Sequence, residues 1–269
     1  DTTTGALTAM TPASVTTAAD PRSVVLSNDG KNAYTAHFDG PISQYSRDTA
    51  TGALTAMTPA TIASGYTNLR FAAVSSDDKS VYVAVIGANV IVQYLRNTTT
   101  GELTAMTTPA ISTGAASDPF HVASSRDAKH VYVAYSQGDS VGQFARDATT
   151  GELVALTPAW VAAGSSPMVA AVSNDGKNVY AANLVDGTVS QYSRDDVTGL
   201  LTALTPATIA AGLEPRGIVL SSDGTSVYVS NAGANTVSQY SRDTTTGALT
   251  PLAPATIVTG SAPHSAAGA

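Results

Sequence analysis

No cysteine occurs in the 269 residues, so neither a disulfide framework nor a thiolate metal site is open to this chain. The four histidines, His37, His121, His130 and His264, are too scattered to build a closed zinc site alone, and no metal or cofactor is expected. Basic residues are also scarce, thirteen against twenty acidic, with no Lys/Arg cluster of the kind that tracks phosphates. That balance argues against nucleic acid and against an acidic membrane surface as partners. No apolar run reaches bilayer length, and no basic-then-apolar leader is present. The chain starts at Asp1, not Met, which points to processing, trimming or a designed boundary. Only 12% of residues are charged, and Thr, Ala, Ser and Gly dominate, a composition associated with secreted or cell-surface repeat proteins. An extracellular or cell-surface location is the expectation.

What the sequence has in place of these features is a repeat. A Gln-aromatic pair falls at Gln44-Tyr45, Gln93-Tyr94, Gln143-Phe144, Gln191-Tyr192 and Gln239-Tyr240, at spacings of 49, 50, 48 and 48 residues. A fixed period of that size means a repeat architecture, and its continuity predicts one domain over 1–269. The fifth unit reads most cleanly. GIVLSS (217–222) is followed by Asp223-Gly224, a hairpin signal whose favoured tight turn puts both central residues at positive φ. SVYVSN (226–231) has the β-branched and aromatic core of a packed strand. TVSQYSR (236–242) alternates with period two, which argues strand and not helix. In the link DTTTG, Asp243 can accept backbone hydrogen bonds and Gly247 can turn left-handed before a fourth strand begins at Ala248. Four short strands per unit of ~48 residues predict an all-β β-propeller of four-stranded antiparallel blades.

The strand count does not balance. Asp-Gly turns or their variants (Asp29, Asp77, Asp127, Asp175, Asp223) and second-strand tyrosines (Tyr34, Tyr82, Tyr132, Tyr180, Tyr228) each occur five times. The TGxL start of strand four occurs six times, at Gly5, Gly52, Gly101, Gly151, Gly199 and Gly247. Five complete repeats plus a surplus N-terminal outer strand are therefore expected. The surplus leaves three arrangements open: a five-bladed ring with a spare strand, a piece of a larger ring, or self-association through that edge.

The proline that opens strand one, the SxDG turn at Ser222–Gly224, the VYVSN strand at Val227–Asn231 and the NTVSQY plus TGAL pair resemble the YVTN type of propeller repeat. More broadly they resemble the lactonase family of β-propellers. The resemblance covers essentially the whole chain and implies the fold. By what is known of the family it also implies sugar-lactone hydrolysis, lactonisation or a noncatalytic surface role. Its enzymes usually have seven blades.

Residues present in every blade serve packing and turns; functional residues stand where one copy departs from the others. On that test Arg47, Arg96, Arg146, Arg194 and Arg242 are solvated or turn-bracing arginines on an outer strand, each worth little. The turn aspartates are one per blade and not a calcium signature. The informative position follows the proline of strand one and reads Arg22, Arg70, Phe120, Met168, Arg216 and, from an unfinished sixth copy, His264. First strands line a propeller's channel, so Arg22, Arg70 and Arg216 are candidates to bind an anion at one mouth, joined by His121 and His264. The competing reading pairs each arginine with a local acid such as Asp20 or Glu214. His121 and His37 are weak candidates for proton transfer. His130 reads as surface, and Trp160 as outer-rim packing.

The scarcity of acid/base groups at variable positions favours a noncatalytic interaction module, with a small anion, a glycan or a protein as its partner. Lactone chemistry is the alternative the resemblance implies, with the arginines holding the substrate and His121 or His37 moving a proton. An excised or engineered scaffold is the third reading.

Overall fold

The computed structural model describes residue 4, residues 8–114 and residues 117–264. Twenty strands form five four-stranded antiparallel sheets, each made of consecutive strands in chain order. Blade one holds β1 (Pro21–Leu26), β2 (Asn32–His37), β3 (Pro41–Arg47) and β4 (Leu54–Ala63). Blade two holds β5 (Leu69–Val74), β6 (Ser80–Val85), β7 (Val90–Arg96) and β8 (Leu103–Ser112). Blade three holds β9 (Pro119–Ser124), β10 (His130–Tyr135), β11 (Ser140–Arg146) and β12 (Leu153–Ala162). Blade four holds β13 (Pro167–Val172), β14 (Asn178–Asn183), β15 (Thr188–Arg194) and β16 (Leu201–Ala210). Blade five holds β17 (Pro215–Leu220), β18 (Ser226–Asn231), β19 (Thr236–Arg242) and β20 (Leu249–Val258). The propeller expectation and its four strands per unit hold.

The hairpin between strands one and two differs from the expected tight turn. Only the second residue of each Asp-Gly pair is left-handed, at Gly30, Asp78, Ala128, Gly176 and Gly224. The aspartate instead accepts hydrogen bonds across a longer loop: Asp29 Oδ1 takes the Ser27 hydroxyl at 2.6 Å and the Lys31 amide at 3.0 Å. A side-chain acceptor two residues back can close such a loop without a second residue at positive φ; Asp78 and Ala128 take the one left-handed position without being glycine.

No blade buries its faces alone. The four apolar clusters each draw on two adjacent blades, as when Tyr82, Ile91 and Met106 of blade two meet Val131, Phe144 and Leu153 of blade three. Burying such side chains contributes about 2 kcal/mol apiece, so the core is a series of seams. Each seam is also pinned by polar groups. Tyr82 Oη donates to Gly151 O at 2.5 Å and accepts from Arg146 Nε at 2.9 Å. Arg146 reaches the Asp77 carboxylate at 3.1 Å and Ser80 Oγ at 3.0 Å, and the Leu153 amide donates to Gln93 Oε1 at 2.8 Å.

Equivalent pins join Arg96 to Asp29 and Tyr34, Arg194 to Asp127 and Tyr132, and Arg242 to Asp175 and Tyr180. The strand-three arginines do brace the hairpin turn, Nη1 donating to the carbonyls of Gly30, Asp78, Ala128, Gly176 and Gly224, but Arg96, Arg146, Arg194 and Arg242 are not solvated. In these four the side chain is 0–2% exposed, because the guanidinium crosses into the preceding blade. His130 is likewise no surface residue: it is buried, takes the seam position that Asn32 and Asn178 hold elsewhere, and meets Arg194 Nη2 through Nδ1 at 2.7 Å.

First strands pack in succession, β1 on β5, β5 on β9, β9 on β13 and β13 on β17, with no comparable packing from β17 back to β1. The arc is open. Accordingly Val24 and Leu26 of β1 are exposed, and Tyr228 of β18 is only half-buried where its four counterparts are sealed. Of the surplus N-terminal copy, residues 5–7 lie outside the described residues. Residues 8–20 run along blade one without a ladder partner, and Tyr45 Oη donates to Thr16 O as Tyr192 Oη donates to Ala162 O.

Candidate functional site

Every first strand begins with an irregularity that the repeat conceals. A residue at positive φ, namely Asp20, Asn68, Asp118, Ser166 or Glu214, precedes the strand. The register then shifts just after its first residue. Arg22, Phe120, Met168 and Arg216 are the extra residues of these bulges, and in blade two Arg70 and Phe71 together face Ala84. A bulge leaves its extra residue unpaired and re-aims the side chain. The variable position is therefore the one that the backbone frees from the ladder.

The five copies of this device are not equivalent. Arg22 pairs with Asp20 at 2.8 Å, and Arg216 pairs with Glu214 at 3.1 Å, each with the acid at its own left-handed position. The local-pairing reading holds for these two. Blade two has Asn68 there, and among the described residues Arg70 makes no ion pair. Its guanidinium lies 5.6 Å from the ring centres of both Phe38 and Phe120, and Arg22 stacks over Phe38 at 4.8 Å. Arg70 Nε is buried with no hydrogen-bond partner, as is Arg216 Nε, but Arg216 keeps the Glu214 carboxylate on Nη2 and Arg70 has none. Burial and the nearby Arg22 charge both lower the Arg70 pKa. Such a cation is under-satisfied and would gain from an anion.

His121 sits beside this cluster. Its ring is 5.1 Å from Phe71, which packs at 5.6 Å on Phe120, and its Nδ1 is sealed without a partner. Burial pulls its pKa down to about 4, so the ring is neutral at ordinary pH. Arg22, Arg70 and His121 are thus gathered through Phe38, Phe120 and Phe71. Arg216 lies on blade five with its own glutamate, and no contact joins it to Arg22 or Arg70. His264 is exposed and outside any strand, after a left-handed Ala262 that matches Glu214.

His37 is not at the mouth. It is fully buried, holding Ser43 Oγ at 2.9 Å, Thr17 Oγ1 at 3.1 Å and Ala19 O at 3.1 Å. Asn183 and Asn231 fill the same place and bind the matching hydroxyls Ser190 and Ser238, so His37 is a structural pin. Trp160 stands on an outer strand, 57% exposed. Among the described residues no group of three or more His, Cys, Asp or Glu converges to hold a metal ion.

Phe38 and Phe71 were not legible as site residues from the repeat alone, yet a signal existed. The chain has four phenylalanines, and three of them, Phe38, Phe71 and Phe120, surround Arg70 and His121. A surface hollow lined by Asp39, Tyr66, Asn68 and Ile86 adjoins Phe38 and Arg70 in sequence but includes neither.

A family model described as Lactonase, 7-bladed beta-propeller matches residues 1–170 and 154–262. The chain belongs to this lactonase family. The expectation of a noncatalytic interaction module is overturned, because the matching family is described as a lactonase and similar solved structures are named gluconolactonase and 6-phosphogluconolactonase; regular repeats and few acid/base groups mark the scaffold and say nothing against a sparse site. Solved structures agree on the fold. The periplasmic gluconolactonase PpgL of Pseudomonas aeruginosa is 21% identical, with 90% of this chain and 71% of that one covered and a TM-score of 0.72. A Lactobacillus plantarum protein is 20% identical over 91% and 73% of the two chains, with a TM-score of 0.77. A candidate 6-phosphogluconolactonase of Bacteroides fragilis is 20% identical over 90% and 85%, with a TM-score of 0.67. Among curated proteins the search finds no match.

Proposed function

We propose that this lactonase-family propeller hydrolyses a sugar lactone carrying an anionic group. Arg70 carries the reading: it is a cation with a buried, unpartnered Nε, no carboxylate, two aromatic walls and a neutral histidine next to the wall. Arg70 would hold the anion and stabilise the oxyanion that forms as water attacks the lactone carbonyl, while Arg22, paired with Asp20, keeps its place across Phe38. His121, neutral beside the Phe71 wall, would accept the proton of that water and return it to the ring oxygen as the C–O bond breaks. Hydrolysis needs no further reagent. The aromatic rings present flat apolar walls to the sugar's C–H face. A location outside the cytoplasm suits the composition and the periplasmic naming of the Pseudomonas neighbour.

The test is hydrolysis of gluconolactone and its 6-phosphate, followed by proton release. The parent should exceed the uncatalysed rate, and His121→Ala should lose at least tenfold in kcat. Because His121 protonates near about 4, activity should hold from neutral pH down to about pH 5 and fall below it. A parent with no turnover of either lactone sinks the proposal.

A further inference from the structure

The hairpin between strands two and three spans four residues in blades two to five, at 86–89, 136–139, 184–187 and 232–235, and three in blade one, at 38–40. In blades two and three its fourth residue fastens the entry to the next blade: Asn89 Oδ1 takes the Asp118 amide at 2.8 Å, and Asp139 Oδ1 takes the Ser166 amide at 2.7 Å. Blade one lacks that residue, and the Asn68 amide donates to Phe38 O at 2.6 Å instead. The loop into blade two is held by other means. Ser64 Oγ donates to Gly40 O and accepts from the Tyr66 amide at 3.1 Å. Gly40, at a φ of 114°, lets the Tyr66 carbonyl come so close that a Cβ there would meet it at 2.3 Å.

Between this short hairpin, the loop at 63–68 and the next hairpin at 86–88 lies a hollow of about 840 Å³, within the range of ligand pockets. Two of its side chains depart from the repeat. Tyr66 stands three residues before its first strand, where the other blades have Ala18, Ala116, Gly164 and Gly212. Its ring packs on the apolar cluster of blades one and two, and among the described residues only its backbone groups are bonded. Asp39 is exposed and, among the described residues, makes no ion pair or hydrogen bond, whereas Asp139 and Asp186 of the equivalent hairpins accept the Ser166 and Ser165 amides.

No Lys, Arg or His lines the hollow. A carboxylate with no cation beside it repels an anion and accepts strong hydrogen bonds from hydroxyl groups. An aromatic ring offers a flat surface to the C–H face of a pyranose. That pairing fits a neutral sugar residue. The hollow is also next to the arginine cluster. Asp39 follows Phe38, whose ring lies against both Arg22 and Arg70, and Asn68 precedes Arg70 by two residues, about 7 Å of extended chain.

We propose that the hollow is a subsite for a neutral sugar residue attached to the sugar lactone, or its product acid, held at Arg70, so that the substrate is a disaccharide lactone. This inference rests on the reading of Arg70 as the sugar-acid site. Asp39 would accept the attached sugar's hydroxyls, and Tyr66 would stack on its ring. Contacts away from the reacting carbonyl are the same in ground and transition states, so they lower KM and leave kcat alone.

Calorimetry on the full chain with lactobionate, a galactose joined to gluconate, against gluconate alone tests the subsite. Lactobionate should bind at least tenfold more tightly, and lactobionolactone should show a KM at least tenfold below that of gluconolactone at similar kcat. Asp39→Ala removes an exposed side chain with no partner, so it should fold as the parent does and erase most of the lactobionate advantage. Tyr66→Ala, with its folding checked by urea because the ring packs on the core, should do the same. Equal affinities for the two acids in the parent, no binding of either, or an advantage that survives both substitutions overturns the subsite, whether or not the lactones are turned over. An Asp39-dependent preference for lactobionate in a chain that hydrolyses neither lactone sustains the subsite and overturns the lactone chemistry.

Discussion

Arg146 and Arg70 differ in what surrounds the same guanidinium. Arg146 is on a strand-three position present in every blade, and its charge is answered by Asp77, Ser80, Tyr82 and the Ala128 carbonyl. Arg70 is on a bulge whose residue changes from blade to blade, and its neighbours are two phenyl rings and another arginine. Repetition within the chain therefore separates the seam cations, whose carboxylates the preceding blade supplies, from Arg70, a bulge arginine that has no carboxylate partner among the described residues. A buried charge with its partners holds a fold in register; one without them is available to a ligand.

The sharpest way to break the comparison is to remove the satisfied cation. Arg146→Ala leaves Asp77, Ser80 and Tyr82 with unanswered polar groups in a seam. Loss of one member of a buried pair costs about 3 kcal/mol after allowing for the partly exposed Asp77. Urea unfolding should show that loss, while Arg47→Ala, at the open face, should change stability by less than about 0.5 kcal/mol. Equal losses at both positions would mean that the seam network is not what distinguishes them.

Tyr82→Phe is a narrower test. It removes one hydroxyl that donates to Gly151 O and accepts from Arg146, so about 2 kcal/mol is expected from two buried groups left unmade. Tyr228→Phe, with no following blade, should be nearly neutral in the same assay.

As pH falls, His121 at the mouth takes up its proton before the seam aspartates do. Burial alone would raise the Asp29 carboxyl, but the Ser27 hydroxyl, the Lys31 amide and Arg96 hold it down at about 2. Asp127 is held at about 2 in the same way by Ser125, Arg194 and the Lys129 amide. A depressed folded pKa contributes stability that is fully present above the unfolded value of about 3.9 and is lost as pH falls toward 2. The urea midpoint should therefore drop between about pH 4 and pH 2. Replacing both Asp29 and Asp127 with Asn should lower it at neutral pH and flatten that acid dependence.

The fold was legible because each strand carried its own local signal and the period repeated it. The seam chemistry was only half legible. The arginine at the end of strand three is visible in sequence, but its partners lie 62 to 67 residues earlier, as with Arg96 and Tyr34 or Asp29, and nothing local marks that reach. The same reasoning misplaced His130 on the surface, since its burial comes from the following blade. Arg22 and Arg70 were found because they depart from the repeat. Phe38 was missed because it lies one residue past β2, where alternation stops carrying information.

Removing Arg70 should have a small effect on stability and the clearest effect on binding. Arg70→Met keeps an unbranched apolar stem between Phe38 and Phe120 while deleting a charge that has no acid and a buried Nε that has no acceptor. The transfer cost of the lost contacts and the relief of an unpaired buried group are of opposite sign, so unfolding should shift by less than about 1 kcal/mol. Calorimetric binding of 6-phosphogluconate should fall at least tenfold, the equivalent of about 1.4 kcal/mol. A control, Arg216→Met, removes an arginine already paired with Glu214 and should leave that binding unchanged. If Arg216→Met weakens the sugar acid as much as Arg70→Met does, then pairing with a local acid does not decide which arginine is free to bind, and the contrast between satisfied and unsatisfied cations fails at the site where it matters most.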